Sequence, residues 1–397
     1  MNPIQKFFDK IEPLFEKGGK YEKYYTLYEG HRTILFRPKL VTGKKGVQVR
    51  DANDLKRTMI TVVIAMIPCL LFGIWNIGHQ HFLAIGETAT FLQKIGIGAM
   101  QALPIVIVSY AVGLGTEFTI CVIRNHPVNE GYLVTGMLIA LIMPPSIPLW
   151  QVALATVFAV VIAKEVFGGT GMNVLNVALT ARAFLYFAYP TDISGEVWTY
   201  LGDAAVVDGY SGATALGVAY DTALNGTGSV VSAFGNYWAE GMYSFSNMFL
   251  GAIPGSIGET STLLALVGAL ILIITGVGSW KIIVSVFAGA WLMGLGFNAI
   301  GVNAFMDMPA HYHLVIGGLA FGAVFMATDP VSASHTETGK WIYGLLIGVL
   351  TVIIRVVNPA YPEGIMLAIL LMNVFAPLID HYVVESNKKR RLKRATV

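Results

Sequence analysis

"TMITVVIAMIPCLLFGIWNI", Thr58 to Ile77, carries no formal charge over its whole length. An α-helix needs about 20 consecutive apolar residues to cross the hydrocarbon core of a bilayer. In lipid the backbone polar groups have only each other as partners, so a stretch of this kind reads as a transmembrane helix. The rest of the chain has the same character. Of 397 residues, 55% are apolar and 13% charged, and the mean hydropathy is +0.64. A soluble domain carries about 25% charged residues. These values exclude the soluble globular and disordered classes and place the chain among integral membrane proteins.

Working outward, further spans read at 95–123, 131–148, 149–167, 174–189, 260–277, 282–300, 314–327, 341–357 and 364–379, ten in all with the first. Thirteen Lys and Arg fall in residues 1–57 and six in 381–397, so nineteen of the twenty-six basic residues lie at the two ends. Positive flanks stay in the cytoplasm, and two cytoplasmic ends require an even number of spans. Ala183 to Trp280 contains no Lys or Arg and seven acidic residues, which puts the polar insert 190–259 outside. The expected organisation is a basic cytoplasmic segment (1–57), a first group of five helices (58–189), an external loop (190–259), a second group of five (260–380) and a basic cytoplasmic tail (381–397). "MNPIQKFFDKIEPLFEK" at the start has apolar residues at helical spacing and predicts an amphipathic helix that lies on the membrane surface or docks on a partner.

"LVTG" at 133–136 returns as "LVIG" at 314–317, and "LNVA" at 175–178 returns as "MNVF" at 372–375. The pairs fall on the third and fifth spans of each half. Five being odd, two such halves lie inverted, an arrangement that places binding sites or ion paths where the repeats meet. The fold class read here is an all-α polytopic membrane protein of ten transmembrane helices in two inverted five-helix repeats, as in urea-transporter-like proteins.

The two cysteines, Cys69 and Cys121, sit in apolar stretches and read as small hydrophobes. An iron–sulfur cluster takes four thiolates, which leaves this chain at most half of one shared between subunits. No phosphate-cradling or dinucleotide fingerprint is present.

The external insert contains "VVDGYSGATALG", Val206 to Gly217. On composition it reads as a turn rich in Gly and Ser. Asp208, Ser211, Gly212, Ala213 and Thr214 also form an Asp-x-x-Ser-Gly-Ala-Thr pattern that resembles the site at which a flavin transferase joins the phosphate of FMN to a threonine. With ten spans, the basic extension "YEGHRTILFRPKLVTGKKGVQVRD" and "NEGYLVTG…KEVFGGTGMN", the whole chain resembles the B subunits of sodium-translocating NADH:quinone oxidoreductases. The resemblance implies covalent FMN on Thr214, with Asp208 and Ser211 read by the transferase. It further implies a non-covalent riboflavin, ubiquinone as electron acceptor and Na+ as transported ion. Partners would be the other subunits, one of which oxidises NADH, all in a bacterial inner membrane; no nucleic acid is expected. As one part of an assembly the chain would be inactive alone. The related Rnf electron-transfer complexes and a non-redox channel or carrier of the same fold are the alternatives.

Gly168, Gly169 and Gly171 read either as a helix-connecting turn or as backbone open to riboflavin or quinone. Asp329 with Pro330 reads as a helix N-cap. Glu117, Glu130, Glu165 and Asp380 lie within or at the edges of spans, where carboxylates are costly and so are candidates for a Na+ path. Glu165 is also placed to pair with Lys164 or Arg182. The aromatic residues Trp198, Tyr200, Tyr210, Tyr220, Tyr237 and Trp238 read as loop packing or as contacts to a flavin ring.

Overall fold

A computed structural model describes residues 3–25, 28–30, 32, 55–124, 131–202, 204–225, 228–358 and 363–395. Every regular element among them is helical. Among the described residues, six helices are long and apolar enough to cross a membrane: α2 (Leu55–Ala84), α3 (Phe91–Arg124), α5 with its continuation (Leu149–Phe167), α11 (Trp280–Ile300), α12 (Glu337–Val357) and α13, which runs from Ile365 to Ala395. The short amphipathic helix α1 (Pro3–Phe15) precedes them and leaves Ile4, Phe7 and Leu14 exposed. Leu71, Ile107 and Leu292 point away from the protein interior. On a helical bundle of this composition, that outward apolar surface marks a polytopic membrane protein.

The other expected spans are shorter or broken. Helix α4 covers only Tyr132–Leu141, α6 Val177–Ala188 and α10 Thr262–Ile274. The stretch expected to span at 314–327 is three short pieces, Tyr312–Val315, Leu319–Phe321 and a π-helical turn Gly322–Met326. The break falls at Gly317, whose φ of +66° is one that other residues seldom adopt.

The carbonyls freed at these breaks find partners inside the protein, as apolar surroundings demand. Leu141 and Met143 accept from the backbone N–H of Gly258 (2.7 Å) and Ile257 (3.1 Å). Ile142 accepts from Arg182. At the second break the fully buried Arg355 donates to the carbonyls of His313 (2.7 Å) and Ile316 (2.8 Å).

Helices α11 and α12 pack closely along one another. Without a hydrophobic drive between helices in lipid, such contacts depend on small residues that let backbones approach. A Cβ on Gly348 would collide with the Val286 carbonyl, and one on Gly289 with that of Leu345. Gly348→Leu is therefore expected to cost about 1–3 kcal/mol through overpacking, read as a lowered thermal midpoint in detergent. Gly296→Leu, whose Cβ would meet open space, should leave that midpoint in place.

The last helix continues to Ala395, past the expected span end at 379, because no Gly or Pro follows Pro377 to stop it. Lys393 and Arg394 in its final turn suit the negative end of the helix dipole. Between α6 and α10 the insert folds rather than loops. Helices α7 (Ala215–Asn225), α8 (Val230–Gly235) and α9 (Phe245–Leu250) gather Leu216, Phe234, Tyr243 and Met248 into a core of their own, closed by Phe305 and Ile316.

Candidate functional site

Thr214 stands immediately before α7. Its Oγ1 accepts from the backbone N–H of Gly217 (3.2 Å) and its carbonyl from that of Val218 (2.9 Å), the pattern of an N-cap. The threonine oxygen thus sits at the positive end of the helix, where an attached anion is stabilised. The preceding backbone is held by three aromatic side chains. Tyr237 donates its hydroxyl to the Ser211 carbonyl (2.6 Å) and, at 3.1 Å, to that of Ala213. Trp238 Nε1 donates to Ser211 (3.0 Å), and the Tyr243 hydroxyl to Ala213. Burial pushes the Tyr243 phenol well above its ordinary range, so it remains a protonated donor. Ser211 Oγ donates to Glu196 (3.1 Å), while Asp208 is exposed at the turn.

Beside the motif lies a cavity of about 660 Å³, lined by Thr214, Trp198, Tyr220, Arg182, Glu259 and Glu363 among others. Pockets of about 300–1,000 Å³ hold cofactor-sized ligands. Helix α6 supplies Arg182, which Glu259 grips at 2.8 Å and Glu363 at 2.5 Å. Its guanidinium carbon lies 5.4 Å from the Trp198 ring centroid. Ser256 donates to the Oε2 of Glu259, whereas Oε1 is buried with no hydrogen-bond partner.

Of the six aromatic residues singled out from the sequence, Tyr237 and Trp238 hold the motif, Tyr210 packs edge-on against Trp238 at 5.2 Å, and Tyr200 stacks on His81 at 5.6 Å. Trp198 and Tyr220 line the cavity, and Tyr237 does so as well.

A second, smaller cavity of about 90 Å³ lies at the other end of α10, lined by Lys164, Thr170, Gly171, Asn176 and Asp329 among others. Gly168, Gly169 and Gly171 have φ of +120°, +95° and +90°, so this tight loop is closed to residues with a Cβ at little strain. Asp329 caps a turn rather than the helix expected from Asp-Pro, accepting from Val331 N (3.2 Å) and Ser332 Oγ (2.7 Å).

The candidate carboxylates that the structure describes each have partners of their own. Glu117 forms a buried ion pair with Lys164 at 2.8 Å, and Lys164 also lies over the Tyr132 ring at 5.6 Å. Glu165 faces Arg124 at 3.9 Å, so its expected pairing with Lys164 or Arg182 is replaced. Those two cations have other carboxylates, Glu117 for the first and Glu259 with Glu363 for the second. Glu130 lies outside the described residues. Asp380 accepts from Ser334 Oγ (2.7 Å), His335 N (2.7 Å), and the N (3.0 Å) and Oγ1 (2.6 Å) of Thr336, tying α13 to the start of α12. Among the described residues no group of three or more His, Cys, Asp or Glu is arranged to hold a metal ion. Asp380→Ala leaves four donors without their acceptor and is expected to cost about 3 kcal/mol, measured as a drop in thermal midpoint that Asp380→Asn partly restores.

Glu259 and Glu363 escaped sequence reading. A lone arginine in the apolar run 174–189 demands a counter-charge, and the carboxylates that answer it stand just ahead of the sixth and tenth expected spans.

Comparison with known proteins sets this geometry in a lineage. A family model described as NQR2, RnfD, RnfE matches residues 42–389. The chain belongs to that family. A Chromohalobacter salexigens protein is 52% identical over 98% of this chain and 96% of its own length. One from Stutzerimonas stutzeri is 50% identical over 98% and 99%, and one from Ectopseudomonas mendocina 51% over the same shares. All three are named as the B subunit of a Na(+)-translocating NADH-quinone reductase. Membership of the NQR2, RnfD, RnfE family, with these relatives, bears out the resemblance drawn from the sequence.

Proposed function

We propose that this chain is the B subunit of a sodium-translocating NADH–quinone reductase, with FMN joined through its phosphate to Thr214. It would pass electrons toward ubiquinone while Na+ is exported, and other subunits would supply electrons from NADH. The observation that carries the reading is the placement of Thr214 Oγ1 at a helix N-terminus on the rim of a cofactor-sized cavity. The residues present fit the group. The helix end suits a phosphodiester, Trp198 and Tyr220 suit a planar ring, and the orphaned Glu259 oxygen suits a ring N–H.

In attachment, the Thr214 hydroxyl attacks the diphosphate of a flavin dinucleotide held by the transferase. The Oγ–P bond forms as the P–O–P bridge breaks, nucleoside monophosphate leaves, and the hydroxyl proton passes to a base of the transferase. The bound flavin would supply reversible electron transfer. Tyr237, Trp238 and Tyr243 hold the motif's carbonyls and so present Thr214 at a fixed point. Outside, the anchor prevents loss of the cofactor.

The Asn176/Asn373 correspondence of the two halves supports the inverted ten-segment arrangement. With the Asn373 amide set to satisfy its neighbours, it accepts from the backbone N–H of Asn176 at 3.0 Å and donates to Tyr343 at 2.7 Å. The repeats would therefore touch at matching positions. The basic ends would lie in the cytoplasm of a bacterial inner membrane and residues 190–259 outside. In this reading the loop Gly168–Gly171 borders the riboflavin or quinone region, and Glu117, Glu165 and Asp380 belong to the Na+ path. The half-identity of full-length relatives that are named as parts of Na(+)-translocating reductases favours this reading over an Rnf-type complex. Peptide mass spectrometry of the native complex tests it: the peptide containing Thr214 should carry the mass of FMN less water. An unmodified peptide from a host that makes the transferase would overturn the assignment.

A further inference from the structure

We propose that the isoalloxazine ring of a flavin on Thr214 lies in the 660 Å³ cavity against the indole of Trp198, with its imide edge at Glu259. The inference rests on attachment at Thr214 and adds how the ring is seated. The aromatic residues around the motif divide by what their polar atoms and faces already do. Tyr237, Trp238 and Tyr243 spend their donors on the Ser211 and Ala213 carbonyls. Tyr200 is stacked on His81, and Tyr210 is set edge-on against Trp238.

Trp198 differs. It lines the cavity as Tyr220 does, but a guanidinium is packed on it, that of Arg182, itself fixed by Glu259 and Glu363. A guanidinium over one side of an indole orients the ring, and an electron-rich indole so held is a platform for an electron-poor isoalloxazine.

Glu259 sets the direction of the ring. Its Oε1 is buried and unpartnered in a wall of the same cavity, and a buried acceptor left in that state costs free energy until a donor arrives. The imide N–H is the donor that an oxidised isoalloxazine carries at one edge. Glu363 reaches the same place. A Cβ on Gly318 would stand 2.8 Å from the Oε1 of Glu259 and 3.2 Å from that of Glu363, so the two carboxylates meet over a residue that has no side chain to separate them. Carboxylate charge at that edge opposes addition of an electron to the ring and lowers its potential.

The full chain, co-produced with its flavin transferase and purified in detergent, separates this inference from the one beneath it. Flavin fluorescence of the denatured gel band reports attachment, and fluorescence of the folded protein reports stacking. Trp198→Leu is expected to keep the denatured band at wild-type brightness while native emission rises several-fold, because an indole in contact quenches the flavin. Trp198→Phe should fall between, and Trp291→Phe, on the apolar exterior of α11, should match wild type.

Glu259→Gln, which keeps an oxygen toward Arg182, should raise the midpoint potential of the covalent flavin. Glu240→Gln, elsewhere in the insert, should leave it unmoved. A dark denatured wild-type band sinks attachment itself. A bright one with native emission indifferent to Trp198 overturns the platform, and an unmoved potential in Glu259→Gln overturns the orientation.

Discussion

Thr214→Ala is expected to yield a protein that folds, inserts and is dark under ultraviolet light after denaturing electrophoresis. Two losses are superimposed in this variant. The first is the cap: Oγ1 accepts the Gly217 N–H at the start of α7, and replacing a threonine cap by alanine costs about 1 kcal/mol. That is too little to unfold an insert with its own buried core. The second is the nucleophile, without which no phosphodiester forms. Thr214→Asn separates them, since asparagine caps as well as threonine but has no hydroxyl. The asparagine variant should keep the wild-type thermal midpoint, lose the fluorescent band and drop quinone reduction by the assembled complex to background. A fluorescent band in either variant would place the flavin on another residue.

Arg182→Ala has the largest expected effect on stability. The side chain is 3% exposed and donates to Glu259, Glu363 and the Ile142 carbonyl. Its removal leaves carboxylates facing one another in a cavity wall and a helix-break carbonyl without a donor. Breaking a buried ion pair from one side costs about 3–5 kcal/mol. Much of that is the penalty of the abandoned charges, so Arg182→Ala combined with Glu259→Gln and Glu363→Gln should recover a large part of the loss. Such non-additivity is expected of residues in one network. Thermal unfolding of the purified protein reads both. A loss under about 1 kcal/mol in the single variant would mean the triad is not the clamp described.

The sequence made the membrane class plain because lipid imposes one rule along each long helix. Six of the expected spans are visible as uninterrupted helices for that reason. The breaks near Ile142 and Gly317 were less legible. Hydropathy averages over a window, whereas the breaks depend on Arg182, Arg355 and the segment Ile257–Gly258, which come from distant parts of the chain to satisfy a few carbonyls. The motif around Thr214 could be read because its order is local. The clamp on its carbonyls and the Glu259–Arg182–Glu363 set could not, since Tyr243 and Glu363 meet the site only through folding. Glu165 shows the limit of adjacency. Next to Lys164 in sequence, it faces Arg124 instead, while Lys164 turns to Glu117.

The last helix, 31 residues from Ile365 to Ala395, is a rod about 46 Å long at 1.5 Å per residue. Pro377 lies inside it, so a bend falls there and the basic stretch beyond moves as one arm: a small rocking of the buried end swings the far end through a larger arc. A reporter fused in helical register after Arg394 would inherit that swing, and its polarised emission would register each reorientation of the bundle during turnover.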